Sequence, residues 1–154
     1  MSQNEIVLIL DNIRSRENVG SIFRTADAAG ISMMYLCGIT PMPPHPKIEK
    51  ASLGAEKTVP YKHIRDTWRL VTELQKVGYE VVALEQTKQS ENIFKFKTKK
   101  KIVLVVGNEV DGVSKSVLKR VNKKISIPMY GKKESLNVSV AVGIALYTIW
   151  GVRK

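Results

Sequence analysis

Cysteine is almost missing from this 154-residue chain, which holds Cys37 alone, with two histidines, His45 and His63. One thiol excludes a disulfide framework and a cysteine-based zinc site, and three such widely separated residues make no Cys/His metal centre. Aromatic residues are scarce at 6%, so the core must be built mainly of Val, Ile, Leu and Ala. No apolar run reaches the ~20 residues of a membrane-spanning helix. The amino terminus lacks the basic-then-apolar layout of a secretory signal. Together these absences predict a cytoplasmic chain with a reduced thiol, no resident metal and no membrane partner. Also missing are the dinucleotide motif G-x-G-x-x-G, the phosphate-binding loop G-x-x-x-x-G-K-[ST] and the nucleophile elbow G-x-S-x-G. Neither histidine has a neighbour that suggests a triad, and both read as ordinary surface or loop residues.

Negative charge is scarce only towards the end of the chain. Residues 1–94 balance eleven basic against eleven acidic side chains, whereas residues 95–154 hold fourteen basic and three acidic ones, which accounts for the whole net charge of +11. A one-ended positive field suits a polyanion, because neutralising phosphates releases condensed counterions. Nucleic acid or another anionic ligand is the partner class this favours.

At 44% hydrophobic and 25% charged, the composition is that of a globular protein with a substantial core. The length fits one domain, 1–154. Ile6 to Leu10 is an unbroken apolar run ending at Asp11, the pattern of a strand buried on both faces. Residues 17–29 follow with Val19, Ile22, Phe23, Ala26 and Ala29 at helical spacing, stopped by Gly30. Strands are predicted at 32–37, 80–84, 102–106 and 124–127, and helices at 64–77, 114–120 and 136–151. Pro41, Pro43, Pro44 and Pro46 mark a loop in which regular structure should not persist. Strands separated by helices predict an α/β fold, a mainly parallel sheet covered by helices on both faces. The last helix is apolar on nearly every side, so it should be buried all round, with one face on the sheet and another against a second subunit.

Three polar clusters stand at strand-to-helix or strand-to-loop junctions, where open α/β sheets bind ligands. The first is Asn12 to Arg24, with Ser15 or Asn18 placed to cap a helix. The second is Gly107 to Val113, two glycines around acidic residues. The third is Ile127 to Ser139, where Ser135 or Asn137 could cap the last helix. Gly107 and Gly131 permit close backbone approach, and Ile127, Met129 and Leu136 offer an apolar wall.

Taken in order, N-V-G-S-I-F-R-T-A, V-V-G-N-E-V-D-G-V and I-P-M-Y-G-K-K-E-S-L-N-V-S-V-A resemble the three motifs of the SpoU (TrmH-like) branch of the SPOUT superfamily. The resemblance runs from Ile6 to Trp150. It implies a tRNA or rRNA 2′-O-ribose methyltransferase that uses S-adenosylmethionine and releases S-adenosylhomocysteine. It also implies a homodimer and a deep carboxyl-terminal trefoil knot. By position, Asn18, Arg24, Glu109, Ser135 and Asn137 match the motifs' catalytic residues. The cofactor lining implied is Leu84 and Glu85 after the strand at 80–84, with Gly107, Ile127, Met129 and Leu136. The family proposal makes Arg24 a general base. Since an arginine pKa exceeds about 12, holding an RNA phosphate and stabilising developing alkoxide charge is an equally physical role.

Unlike many members, the chain is expected to carry no separate RNA-binding domain, so its own basic residues become candidate RNA contacts. Arg14 and Arg16 beside the first motif come first. Lys95, Lys97, Lys99, Lys100, Lys101, Lys119, Arg120, Lys123 and Lys124 follow. Two other readings compete. One is a non-catalytic RNA-binding or assembly factor that retains the fold, against which the five intact motif residues count. The other is methyl transfer to a base, against which the ribose-type third motif counts.

Overall fold

The unbroken apolar run near the amino terminus becomes the middle of a seven-stranded sheet. The computed structural model describes residues 4–152. In chain order the strands are β1 (Glu5–Asp11), β2 (Met33–Cys37), β3 (Tyr61–Ile64), β4 (Glu80–Leu84), β5 (Glu91–Asn92), β6 (Lys101–Gly107) and β7 (Lys123–Ser126). The helices are α1 (Arg16–Ala28), α2 (Pro46–Ser52), α3 (Thr67–Lys76), α4 (Lys115–Leu118) and α5 (Val138–Val152). Across the sheet the order is β3-β2-β1-β6-β4-β7-β5, and every pairing is parallel.

Alternation along the central strands divides the core in two. Ile6, Leu8 and Leu10 of β1 and Ile102, Leu104 and Val106 of β6 face α1, α2 and α5. Val7 and Ile9, with Val103 and Val105, face α3 and α4. The large side chains among them are fully buried, each adding about 1.5–3 kcal/mol of apolar transfer free energy. Covered on both faces, these strands need apolar residues at successive positions, which is why they read as continuous runs.

Three expectations need correction. Pro46 opens α2 rather than breaking structure, because a proline at the first helical turn removes an N–H that has no helical partner; His45 caps this helix, its Nδ1 accepting from the Lys47 N–H at 3.1 Å. Ile64 ends strand β3, and the helix predicted from it starts only at Thr67. Strands β3 and β5, which lie at the sheet edges, escaped the sequence reading. Within one chain the side of α5 assigned to a second subunit stands open. Val142, Ala145, Leu146 and Ile149 are covered, while Val140 and Tyr147 are 50% and 54% exposed. One neighbouring surface can cover only one side of a helix, and here α5 packs on α1. Among the described residues no helix is long and apolar enough to cross a membrane.

Candidate active site

A parallel sheet delivers all its carboxyl ends to one edge, and the loops leaving β1, β4, β6 and β7 meet there. Ser15 caps α1, its Oγ accepting from the Asn18 N–H at 3.1 Å. Glu109, in the loop after β6, reaches this helix start and accepts from the backbone N–H groups of Arg14 and Ser15, both at 3.0 Å. It also accepts from Asn18 Nδ2 at 3.3 Å. Asn18 Oδ1 in turn accepts from Asn137 Nδ2 at 3.2 Å. Asn137 Oδ1 accepts from the Ser139 N–H at 2.9 Å, at the start of α5. One hydrogen-bonded chain, Glu109 to Asn18 to Asn137, therefore joins the three polar clusters. Burial works to raise the Glu109 carboxyl, but the N–H groups of Arg14 and Ser15, its own N–H and the Asn18 amide outweigh it and hold it below the ordinary carboxylate value. The positive end of α1 favours the same charge state.

The loop after β6 is shaped by backbone contact. Asn108 and Gly112 pair across it, and a Cβ on Gly107 would lie 2.2 Å from backbone atoms of Gly112 and Val113. Gly112 has φ +74°, and a Cβ there would meet Glu85 Oε2 at 2.4 Å. That same oxygen accepts from the Val113 N–H at 2.6 Å, so Glu85 braces the loop from the end of β4. Gly107 thus packs against its own loop, while at Gly131 a Cβ would meet no protein atom within 4 Å, leaving the backbone open to the cavity it lines.

Beside the hydrogen-bonded chain lies a cavity of about 1,060 Å³. Leu84, Glu85, Gly107, Ile127, Met129 and Leu136, the six residues proposed to hold the cofactor, all line it, with Asn18, Glu109, Ser135 and Asn137 at its polar side. Size and lining suit a ligand with an adenine and a polar tail: an apolar wall, loop backbone and a few convergent polar groups. Sequence reasoning missed Gln86, Asn108, Lys132 and Lys133 as lining residues. The two lysines stood inside the third motif and were the available signal.

Arg24 does not line this cavity. It lies six residues beyond Asn18 on α1, about 9 Å along the helix and some 240° around it. It opens instead on a separate cleft of about 390 Å³ with Asp27, Ser52, Gly54 and Thr58. Arg14 is exposed beside the cavity's loop and pairs with Asp111 at 3.8 Å; Arg16 is exposed at the start of α1. Lys99 and Lys100 lie elsewhere. They precede β6, whose opposite end carries Gly107, so the length of that strand, about 20 Å, separates them from the cavity. Cys37 is buried, and burial pushes its thiol up to about 12, which removes it as a nucleophile at neutral pH. Among the described residues no group of three or more His, Cys, Asp or Glu side chains is arranged to hold a metal ion.

Known proteins resemble this chain in sequence and fold. Residues 5–147 match the model of the SpoU rRNA Methylase family. A tRNA (guanosine(18)-2′-O)-methyltransferase of Aquifex aeolicus is 36% identical over 94% of this chain and 68% of its own length. The 23S rRNA (guanosine-2′-O-)-methyltransferase RlmB of Neisseria meningitidis is 31% identical over 95% of this chain and 58% of its own. The solved structure of an AdoMet-bound rRNA methyltransferase from Sinorhizobium meliloti superimposes with a TM-score of 0.89 at 30% identity, over 96% of this chain and 56% of that one. This chain thus spans two thirds of the first relative and less of the others. Fold, cavity and relatives together define the domain of an S-adenosylmethionine-dependent RNA 2′-O-ribose methyltransferase. The chain belongs to the SpoU rRNA methylase family.

Proposed function

We propose that this chain methylates a ribose 2′-hydroxyl in tRNA, with rRNA as the second substrate class, and that it works as a cytoplasmic homodimer whose single α/β unit supplies both chemistry and RNA contact. The observation that carries the reading is the Glu109–Asn18–Asn137 chain beside a cavity large enough for an adenine with a polar tail. The tRNA preference rests on the higher identity to the tRNA-modifying relative. A carboxyl-terminal knot is supported by the path of residues 127–137, which leave β7 on one half of the sheet, line the cavity and deliver α5 to α1 on the other.

Held in the cavity, S-adenosylmethionine would supply an electrophilic methyl group on a sulfonium, with S-adenosylhomocysteine as the product. Ile127, Met129, Leu136 and Leu84 would hold the adenine by apolar contact, while Glu85 and Gly107 fix the loop after β6. Glu109, fully ionised, locks the start of α1 to the loop after β6. Asn18 passes that constraint to Asn137, so all three loops keep one geometry and the ribose oxygen is held for in-line attack. Ser135 and Asn137 orient the ribose. Arg24 acts through charge, holding a phosphate and stabilising the oxyanion that forms as the hydroxyl proton passes to solvent water.

Arg24 faces away from its own chain's cavity, so it serves the cavity of a second copy. The exposed apolar side of α5, with Val140 and Tyr147, is the surface that a second copy covers. Arg14, Arg16, Lys132 and Lys133 contact phosphates at the cavity rim. The Arg14–Asp111 pair is exposed and worth little, so RNA displaces Asp111 readily. Purified protein is incubated with labelled S-adenosylmethionine and separate unmodified tRNA and rRNA pools, followed by nucleoside mass spectrometry. A labelled 2′-O-methyl nucleoside from the tRNA pool is expected. Cofactor binding without label in either pool would contradict the reading in this form.

A further inference from the structure

The segment between β5 and β6 places an aromatic ring and a row of lysines along the outside of the sheet. Its sequence is Ile93-Phe94-Lys95-Phe96-Lys97-Thr98-Lys99-Lys100-Lys101, with five lysines and no acidic residue. Ile93 and Phe96 are buried and anchor it, whereas Phe94 is 53% exposed. Lys95, Lys97, Lys99 and Lys100 are exposed as well. Backbone bonds hold the segment in place. The Ile93 N–H donates to the Ser126 carbonyl at 2.9 Å, Phe94 N–H to Asn92 Oδ1 at 2.9 Å, and Lys123 Nζ to the Lys97 carbonyl at 3.0 Å. Ser126 lines the large cavity, so the segment starts at the cavity's edge. It ends at Lys100, whose carbonyl accepts from the Glu5 N–H at the amino end of β1. A half-exposed phenylalanine inside a folded, lysine-rich edge has no core to fill, since its neighbours Ile93 and Phe96 already fill it.

We propose that this edge is a track for single-stranded RNA: Phe94 stacks one base near the cavity, and Lys95, Lys97, Lys99 and Lys100 hold the phosphates that follow. Stacking on an aromatic face together with a basic groove is the general chemistry of unpaired nucleic acid, because every base has a π-face and the backbone supplies the charge. The proposal deepens the RNA methyltransferase reading and rests on it. It assigns the strand flanking the modified nucleotide an unpaired conformation over several nucleotides. It also gives the positive charge remote from the cavity a role.

Binding of a fluorescent oligouridylate of about twelve nucleotides, a length within the usual span of such sites, is compared with an RNA duplex of equal length. The duplex should bind less tightly to the native protein. Phe94→Ala should weaken oligouridylate binding between about 5- and 150-fold, the range for loss of one stacked base, and Phe94→Trp should restore it. Replacing the four exposed lysines by alanine should reduce the slope of log affinity against log salt by up to about 3, at roughly 0.7 per phosphate contact on a single strand. S-adenosylmethionine affinity should not change in any of these variants. Unchanged oligouridylate binding in Phe94→Ala, or an unchanged salt slope in the lysine variant, would overturn the track. So would equal affinity for the duplex. Conversion of a dimer to a monomer by Phe94→Ala would overturn it too, making the edge a protein interface. If Phe94 governs RNA binding but the native protein transfers no methyl to any RNA pool, the catalytic reading fails and the track stands.

Discussion

At the scale of single residues, Glu109 does what its neighbours require of it. Two backbone N–H groups and one amide converge on a carboxylate that stays ionised below the usual 4.5. A carboxyl depressed in the folded state contributes stability above its unfolded value, and loses that contribution as pH falls through the folded one. The gap in melting temperature between the native chain and Glu109→Gln should therefore be full at neutral pH and shrink as pH drops below about 4.5. Thermal unfolding at a series of pH values measures this, and a gap persisting unchanged into strong acid would contradict it. Arg24 differs, since the proposed mechanism gives it a charge to deliver to a second copy's site. Arg24→Ala should lower kcat by about 10²–10³-fold, the scale for losing one group that faces a developing oxyanion. Arg24→Lys should keep a measurable part of the rate; a lysine variant as dead as the alanine one would restore proton acceptance as its role.

Elements are tied together at this edge by short polar contacts rather than by packing. Asp11, 1% exposed at the end of β1, accepts from Thr67 Oγ1 at 2.7 Å and from the Ser114 N–H at 2.9 Å, fastening the starts of α3 and α4. The turn after β6 depends on Gly112 in the left-handed region, with Glu85 directly behind it. Gly112→Ala should lower S-adenosylmethionine affinity at least about tenfold, or ~1.4 kcal/mol, with the far-ultraviolet circular dichroism unchanged; titration calorimetry decides it. Native-like affinity would show that the loop does not shape the cavity. The legibility of the elements follows the same physics. Strands β1 and β6, seven residues each and covered on both faces, announce themselves as apolar runs. Strand β3 has only four residues with a half-wet pattern and β5 has two, too short for any period to show. Helix α2 was hidden by the prolines that precede it, one of which begins it.

For the whole molecule the open question is how Arg24 and the cavity meet, and subunit mixing answers it. Arg24→Ala and Asn137→Ala are each expected to be inactive. If each site takes Arg24 from the other copy, a mixed dimer of the two has one site with both groups intact. Random reassortment puts half of all dimers in that form, so mixing should recover about a quarter of native activity. No recovery, with mixed dimers demonstrated by mass, would place Arg24 in its own chain's site. Most of the cavity's lining comes from the three motifs. Asn18, Glu109, Ser135 and Asn137 come together at one cavity with all six proposed lining residues. What spacing could not convey is which cleft Arg24 opens on, since Ser52, Gly54 and Thr58, which line it, stand far along the chain.

By itself the sequence determined the parallel α/β class, because strands covered on both faces must be apolar at successive positions. It also determined the chemistry available at each loop, because residue type fixes hydrogen bonding and charge. Tertiary structure alone decided which loops meet, that Glu109 reaches the start of α1 rather than standing in an isolated turn, and that Arg24 opens on a different cleft. It likewise split the carboxyl-terminal positive charge between the cavity rim and the far edge of the sheet. Such choices depend on the order in which strands pair, and pairing order is set by long-range packing that no local pattern encodes.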